Sequence, residues 1–217
     1  GQAGVHFPVT CTGSQPQAFF DQGVGQLHGF WFFEAERSFR QVAALDPDCA
    51  MAYWGMARAN SGNEKRAKGF IAEALKRKGS ASPREVKHVD ALAKYVNTPK
   101  EKKTERAETY AKALEEILYE FPDDVETRAL LALQFWVNSR NGVKIQSHEA
   151  VDALLQRVLQ VNPMHPAHHY RIHLWDYKRA ARAIDSAAVC GQTAPGIAHM
   201  WHMSGHIYSK LKRFHDA

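Results

Sequence analysis

Apolar residues recur along this chain at intervals of three and four, and no strict alternation of apolar and polar positions persists. That spacing lays apolar side chains along one stripe of an α-helix rather than on one face of a strand. The pattern predicts helices at about 18–33, 34–45, 49–61, 64–78, 83–97, 102–121, 124–139, 147–161, 166–176, 178–190 and 197–211. Breaks fall at "LDPD" (Leu45–Asp48), "GSASP" (Gly79–Pro83), "NTPK" (Asn97–Lys100) and "FPDD" (Phe121–Asp124). Others fall at "SRNG" (Ser139–Gly142), "VNPMHP" (Val161–Pro166) and "GQTAPG" (Gly191–Gly196). Proline stops one helix and suits the first turn of the next, and a following Asp or Asn can cap it. Residues 1–17, rich in Gly, Ser, Thr, Pro and Gln, read as an irregular lead-in.

Internal repetition decides how so many short helices are arranged. In "EAERSFRQVAALDP", Ala35 is followed by Phe39 and then by Pro47. At the far end, Trp201, Gly205, Tyr208 and Ala217 follow one another in the order W-x2-L-G-x2-Y…A, with Ser204 at the Leu position. Ala183 stands 34 residues before Ala217, and Pro195 lies 12 after Ala183. On these residues the chain, from about 18 to 217, resembles the tetratricopeptide-repeat family. The resemblance implies an all-α fold: a right-handed solenoid of antiparallel helix pairs whose first helices line a concave groove for a protein or peptide ligand. Some repeats are degenerate, because Tyr110 stands where a small Ala belongs and Pro47, Pro122, Pro163 and Pro195 are unevenly spaced. Ala217 falls where a second helix would begin, so the array is expected to be cut at the C-terminus. An unfinished end offers apolar surface for head-to-tail self-assembly, a further expectation.

Composition narrows the class without naming a reaction. The 217 residues are 45% hydrophobic and 24% charged, as in ordinary folded domains, and charged residues interrupt every apolar run before it reaches a membrane-spanning length. Between Glu64 and Arg106 there are thirteen Lys/Arg against six Asp/Glu, a surplus larger than the whole-chain net charge of +5. No glycine-rich or aromatic nucleic-acid motif accompanies that stretch, which reads as a solvated basic helix face rather than a nucleic-acid surface. Cys11, Cys49 and Cys190 form no CxxC, so zinc-ribbon and thioredoxin-like readings fall away and the redox state stays open. The start at Gly1 rather than Met leans slightly towards an exported protein, periplasmic or extracellular.

Seven of the twelve histidines lie between His165 and His206. His165 and His168 precede His199 and His202 by 34 residues, so HxxH recurs at the repeat period. Equal positions in successive repeats stack on one face, which predicts HxxH pairs side by side, with His206 a turn further on and His169/His173 on a neighbouring face. Imidazole favours Zn or Cu over Mg or Ca, and the seven histidines 165, 168, 169, 173, 199, 202 and 206 are the candidate ligands. Without HExxH a zincin mechanism has no general base. Two readings follow: a peptide-binding scaffold whose histidines stack on Trp175, Trp201, Tyr170 and Tyr208, or a metal carrier or metal-dependent enzyme.

Overall fold

The computed structural model describes residues 4–217, and among them every regular element is helical. The α-helices are α1 (Ser14–His28), α2 (Phe32–Leu45), α3 (Ala50–Ala59), α4 (Glu64–Arg77), α5 (Pro83–Asn97) and α6 (Lys103–Glu120). They continue with α7 (Val125–Arg140), α8 (His148–Val161), α9 (His168–Trp175), α10 (Ile184–Thr193) and α11 (Ala198–Lys210). None is long and apolar enough to cross a membrane.

The helix starts are set by caps written in the sequence. Ser82 and Glu85 form a reciprocal capping box with Pro83 in the first turn of α5. Asn63, Asp124 and Ser147 each accept an amide of the first turn of α4, α7 and α8. Two helices differ most from the sequence pattern. α1 starts at Ser14 and stops at His28, because the chain turns at Gly29–Trp31 with Phe30 at φ 56°. A short 3-10 turn at Ala180–Ala183 delays α10 to Ile184.

Each helix packs on its neighbours in sequence, and alternate helices also touch: α1 on α3, α3 on α5, α7 on α9 and α9 on α11. Phe39 shows why the small residues matter. Its ring lies against the backbones of Gly23 in α1 and Gly55 in α3, where an added Cβ would sit 2.7 and 2.5 Å from ring atoms. The Ala35–Phe39 half-motif therefore marks a close three-helix crossing. At the other motif the outcome differs. Trp201 is 52% exposed and covers Gly191, while Met200, Met203 and Ile207 form the buried face of α11.

Two apolar cores result, one under α1–α6 and one under α8–α11, with α7 contributing to both. This double role explains why α7 is buried on nearly all sides. The lead-in has no regular structure between residues 5 and 13, but it is part of the fold rather than an appendage; residues 1–3 lie outside the described residues. Phe7 is fully buried against Phe20, Trp54 and His88. Thr10 donates through its amide and hydroxyl to Glu85, and the Gly4 carbonyl accepts from Asn162. The lead-in thus runs from the C-terminal end of α8 to the N-terminal end of α5. The basic stretch is a solvated face, as its pairs Lys68–Glu64, Lys76–Glu73 and Arg77–Glu73 show. The described cysteines are unbridged.

His88 gives the fold a pH dependence. It is fully buried, its Nε2 lies 2.8 Å from the Thr127 hydroxyl, and its Nδ1 has no partner. Burial, with Arg84 adding to it against the pull of Asp124, brings its pKa down to about 4. The unfolded chain takes up a proton near pH 6.5 and the folded one does not until about 4, so stability is lost as pH falls through that window. Its share is on the order of 3 kcal/mol at one pKa unit per 1.36 kcal/mol. Urea unfolding should therefore weaken from pH 7 to 4, and less steeply in His88→Gln; equal slopes would refute the assignment.

Candidate metal centre

α9 and α11 face one another, and their histidines meet beside the turn that follows α1. His169 and His173 stand one helical turn apart on α9, and His199, His202 and His206 follow along α11. The ligand atoms of His169, His173 and His199 lie within 4.8 Å of one another. The Nε2 atoms of His169 and His199 are 3.1 Å apart. A tetrahedral ion with nitrogens at about 2.0–2.1 Å separates neighbouring ligands by about 3.3 Å, so this pair needs little adjustment to chelate one.

Hydrogen-bond partners assign the tautomers. The Nδ1–H of His169 donates to the carbonyl oxygen of His28 at 2.7 Å. His28 closes α1, and that carbonyl has no backbone partner of its own. The Nε2 lone pair of His169 is thereby left facing His199, the arrangement in which a backbone acceptor orients a metal-ligating imidazole. His173 is more telling. Its Nε2 is buried and has no hydrogen-bond partner among the described residues, a costly condition for a polar atom in a packed cluster. Burial first, then neighbouring histidines, holds all three rings neutral: His169 far below its ordinary pKa, His173 at about 3 and His199 lowered.

Aromatic rings fix the site in place. Phe30 lies edge-on to His169 at 4.3 Å and stacks on His173 and His199 at 5.8 Å each. Trp136 of α7 stacks on His173 at 4.4 Å. Phe30 is not glycine yet occupies left-handed backbone, a conformation costing on the order of 1–2 kcal/mol. The contacts of its ring offset that strain. Trp31, Phe32 and Phe33, by contrast, are exposed.

The HxxH echo does not survive as stacked pairs. His165 and His168 do not lie beside His199 and His202; the facing pairs are His169 with His199 and Asp176 with His206, each 30 residues apart. His165 precedes α9 in a turn, so its ring does not share the helical face. His168 spends both nitrogens elsewhere, on Ser186 Oγ at 3.0 Å and the Pro163 carbonyl at 2.9 Å. Both of its ring nitrogens are therefore already hydrogen-bonded. Neither Asp185 nor Asp216 is hydrogen-bonded to any of these histidines, and Asp216 pairs with Arg213.

His165 belongs to a second group of ligand type, with His28 and Glu126. His28 Nε2–H donates to Glu126 Oε2 at 2.7 Å and His165 Nε2–H to Oε1 at 3.1 Å. The Tyr170 hydroxyl donates to His28 Nδ1 at 2.6 Å, and the Ala167 amide to His165 Nδ1 at 2.9 Å. Every ring nitrogen is used once, in a consistent neutral tautomer. An ion here would have to displace two protons from a group sealed from solvent. Burial alone would raise the Glu126 pKa, but the two imidazoles outweigh it and keep the carboxylate ionised, well below its usual range. Its position in the first turn of α7 favours the same charge.

Glu126 was not legible as a site residue, because acidic residues in "DDVE" read simply as a helix start; His28, Phe30 and Trp136 sit in ordinary apolar helix pattern. The open cleft of 910 Å³ between α6, α7 and α8 is lined by no histidine. Replacing Glu126 by Gln would set an amide N–H₂ against an imidazole N–H inside the core. Glu126→Gln should lose about 2–4 kcal/mol in urea unfolding, and an unchanged midpoint would contradict the network. No family model matches the chain, and no match is found among curated proteins.

Proposed function

We propose that the protein binds a transition-metal ion, Zn or Cu, through His169, His173 and His199. The observation that carries this reading is the convergence of three neutral imidazoles, one oriented by a helix-end carbonyl and one with a buried nitrogen that has no hydrogen-bond partner among the described residues. An ion satisfies that nitrogen, and it replaces the Nε2–Nε2 contact of His169 and His199, whose rings are already neutral at neutral pH. Three nitrogens leave a fourth position for water, substrate or an accepting protein, which suits carriage and Lewis-acid catalysis alike. The scaffold in this proposal is a right-handed, tetratricopeptide-like solenoid; the Gly23–Phe39–Gly55 crossing and the contacts between alternate helices support it.

The scaffold reading draws on a different place. The cleft between α6, α7 and α8 has an apolar floor of Leu118, Leu131, Phe135, Val151 and Leu154 with Lys112 and Arg128 at its rim, a surface suited to an amphipathic peptide helix. It makes no use of the histidines.

Elemental analysis of the untagged chain after dialysis decides between them. The metal reading expects about one tightly held Zn or Cu per chain. His169→Ala with His199→Ala should abolish it while the far-UV helical signal stays within a few percent. Absence of metal in the parent chain, even after incubation with Zn or Cu salts and desalting, would overturn the reading.

A further inference from the structure

Resting on that reading, we propose a second ion site, formed by His202 and His206 on the solvent side of the first and held in place by Asp176. The ligand is a divalent cation of the Cu, Ni or Zn type, more weakly held and more readily exchanged than the inner ion.

The geometry repeats that of the inner pair. His202 and His206 stand at i,i+4 on α11 with their Nε2 atoms 3.0 Å apart. An i,i+4 pair on one helical face can chelate a single ion. His206 Nδ1–H donates to Asp176 Oδ2 at 3.1 Å, which turns the Nε2 lone pair towards His202. A carboxylate behind a histidine makes the imidazole a stronger ligand and fixes its tautomer. Each facing pair therefore has one ring oriented from behind, by the His28 carbonyl in the inner site and by Asp176 in the outer.

Asp176 supplies the independent observation. It is 4% exposed, and its Oδ1 is buried without a hydrogen-bond partner. It also caps the C-terminus of α9, where the helix dipole opposes negative charge. Among the described residues, His206 is the one hydrogen-bond partner of its carboxylate. A cation bound beyond His206 would balance a carboxylate in that position.

The two sites are continuous. His199 and His202 have ring centroids 6.0 Å apart, and His173 and His206 are 6.4 Å apart. His202 is exposed and His206 partly so, whereas His169 is fully buried. The cluster thus runs from solvent inward, with the outer pair the more open to exchange.

Native mass spectrometry of the untagged chain, titrated with Zn, Ni or Cu salts, tests this. The parent should take up two ions, the second lost first to a competing chelator. His202→Ala with His206→Ala should leave one ion, retained as tightly as before. Asp176→Asn should weaken the second ion by roughly 10–100-fold, the usual effect of removing such a partner, and leave the first unchanged. One ion in both the parent and the double variant would overturn the second site and leave the inner one standing. A second ion indifferent to Asp176→Asn would be a surface histidine pair only, and would overturn it equally. No ion at all would overturn both proposals.

Discussion

Glu126 is ionised where water scarcely reaches it, and the imidazole N–H groups of His28 and His165 are what make that tolerable. The three residues come from the end of α1, the start of α7 and the turn before α9, so one carboxylate ties together segments 98 and 39 residues apart. Its partners are in turn fixed, His28 by the Tyr170 hydroxyl and His165 by the Ala167 amide. A buried polar network satisfied at every atom specifies one arrangement, because any slip leaves a charge or an N–H unpaired.

The candidate metal centre is built outward from that arrangement. Once His28 is held, its carbonyl stands at the end of α1 and accepts the His169 proton, leaving the opposite nitrogen to face α11. The turn immediately after His28 brings Phe30 into left-handed backbone and its ring among the histidines. A second clasp sets the rotation of α9: buried Asp152 of α8 accepts from Arg171 and Trp175 on the face away from His169 and His173. In each case an oriented acceptor decides which way a polar ring points. The inner histidines are consequently neutral and preorganised, the condition under which imidazole binds a metal with least rearrangement.

Much of the fold was legible because helix ends follow local rules. Pro83 in "GSASP" and Asp124 in "FPDD" mark starts that the structure reproduces within a residue or so. Phe39 was legible for a similar reason, since small residues must surround a large one at a close crossing. The histidine register was not legible. Sequence period places residues in equivalent repeats, but whether two rings meet depends on where each helix begins. α9 begins at His168, so His165 falls in the preceding turn and joins Glu126, while the meeting pairs are offset by 30 residues rather than 34. Trp201, at the signature position, packs its ring on Gly191 of α10 and leaves its other side exposed. The role of Glu126 depends on contacts across 98 residues, which no local pattern carries.

The account stands or falls on which nitrogen of each ring carries the proton. Long-range ¹H–¹⁵N correlation spectra of the metal-free chain at pH 7 read this directly for individual histidines. His28 and His165 should be neutral with the proton on Nε2, and His169 neutral with the proton on Nδ1. An Nε2–H tautomer at His169, or an imidazolium at His28, would contradict the account, because Glu126 would then not be the anchor that aims the His169 lone pair at α11.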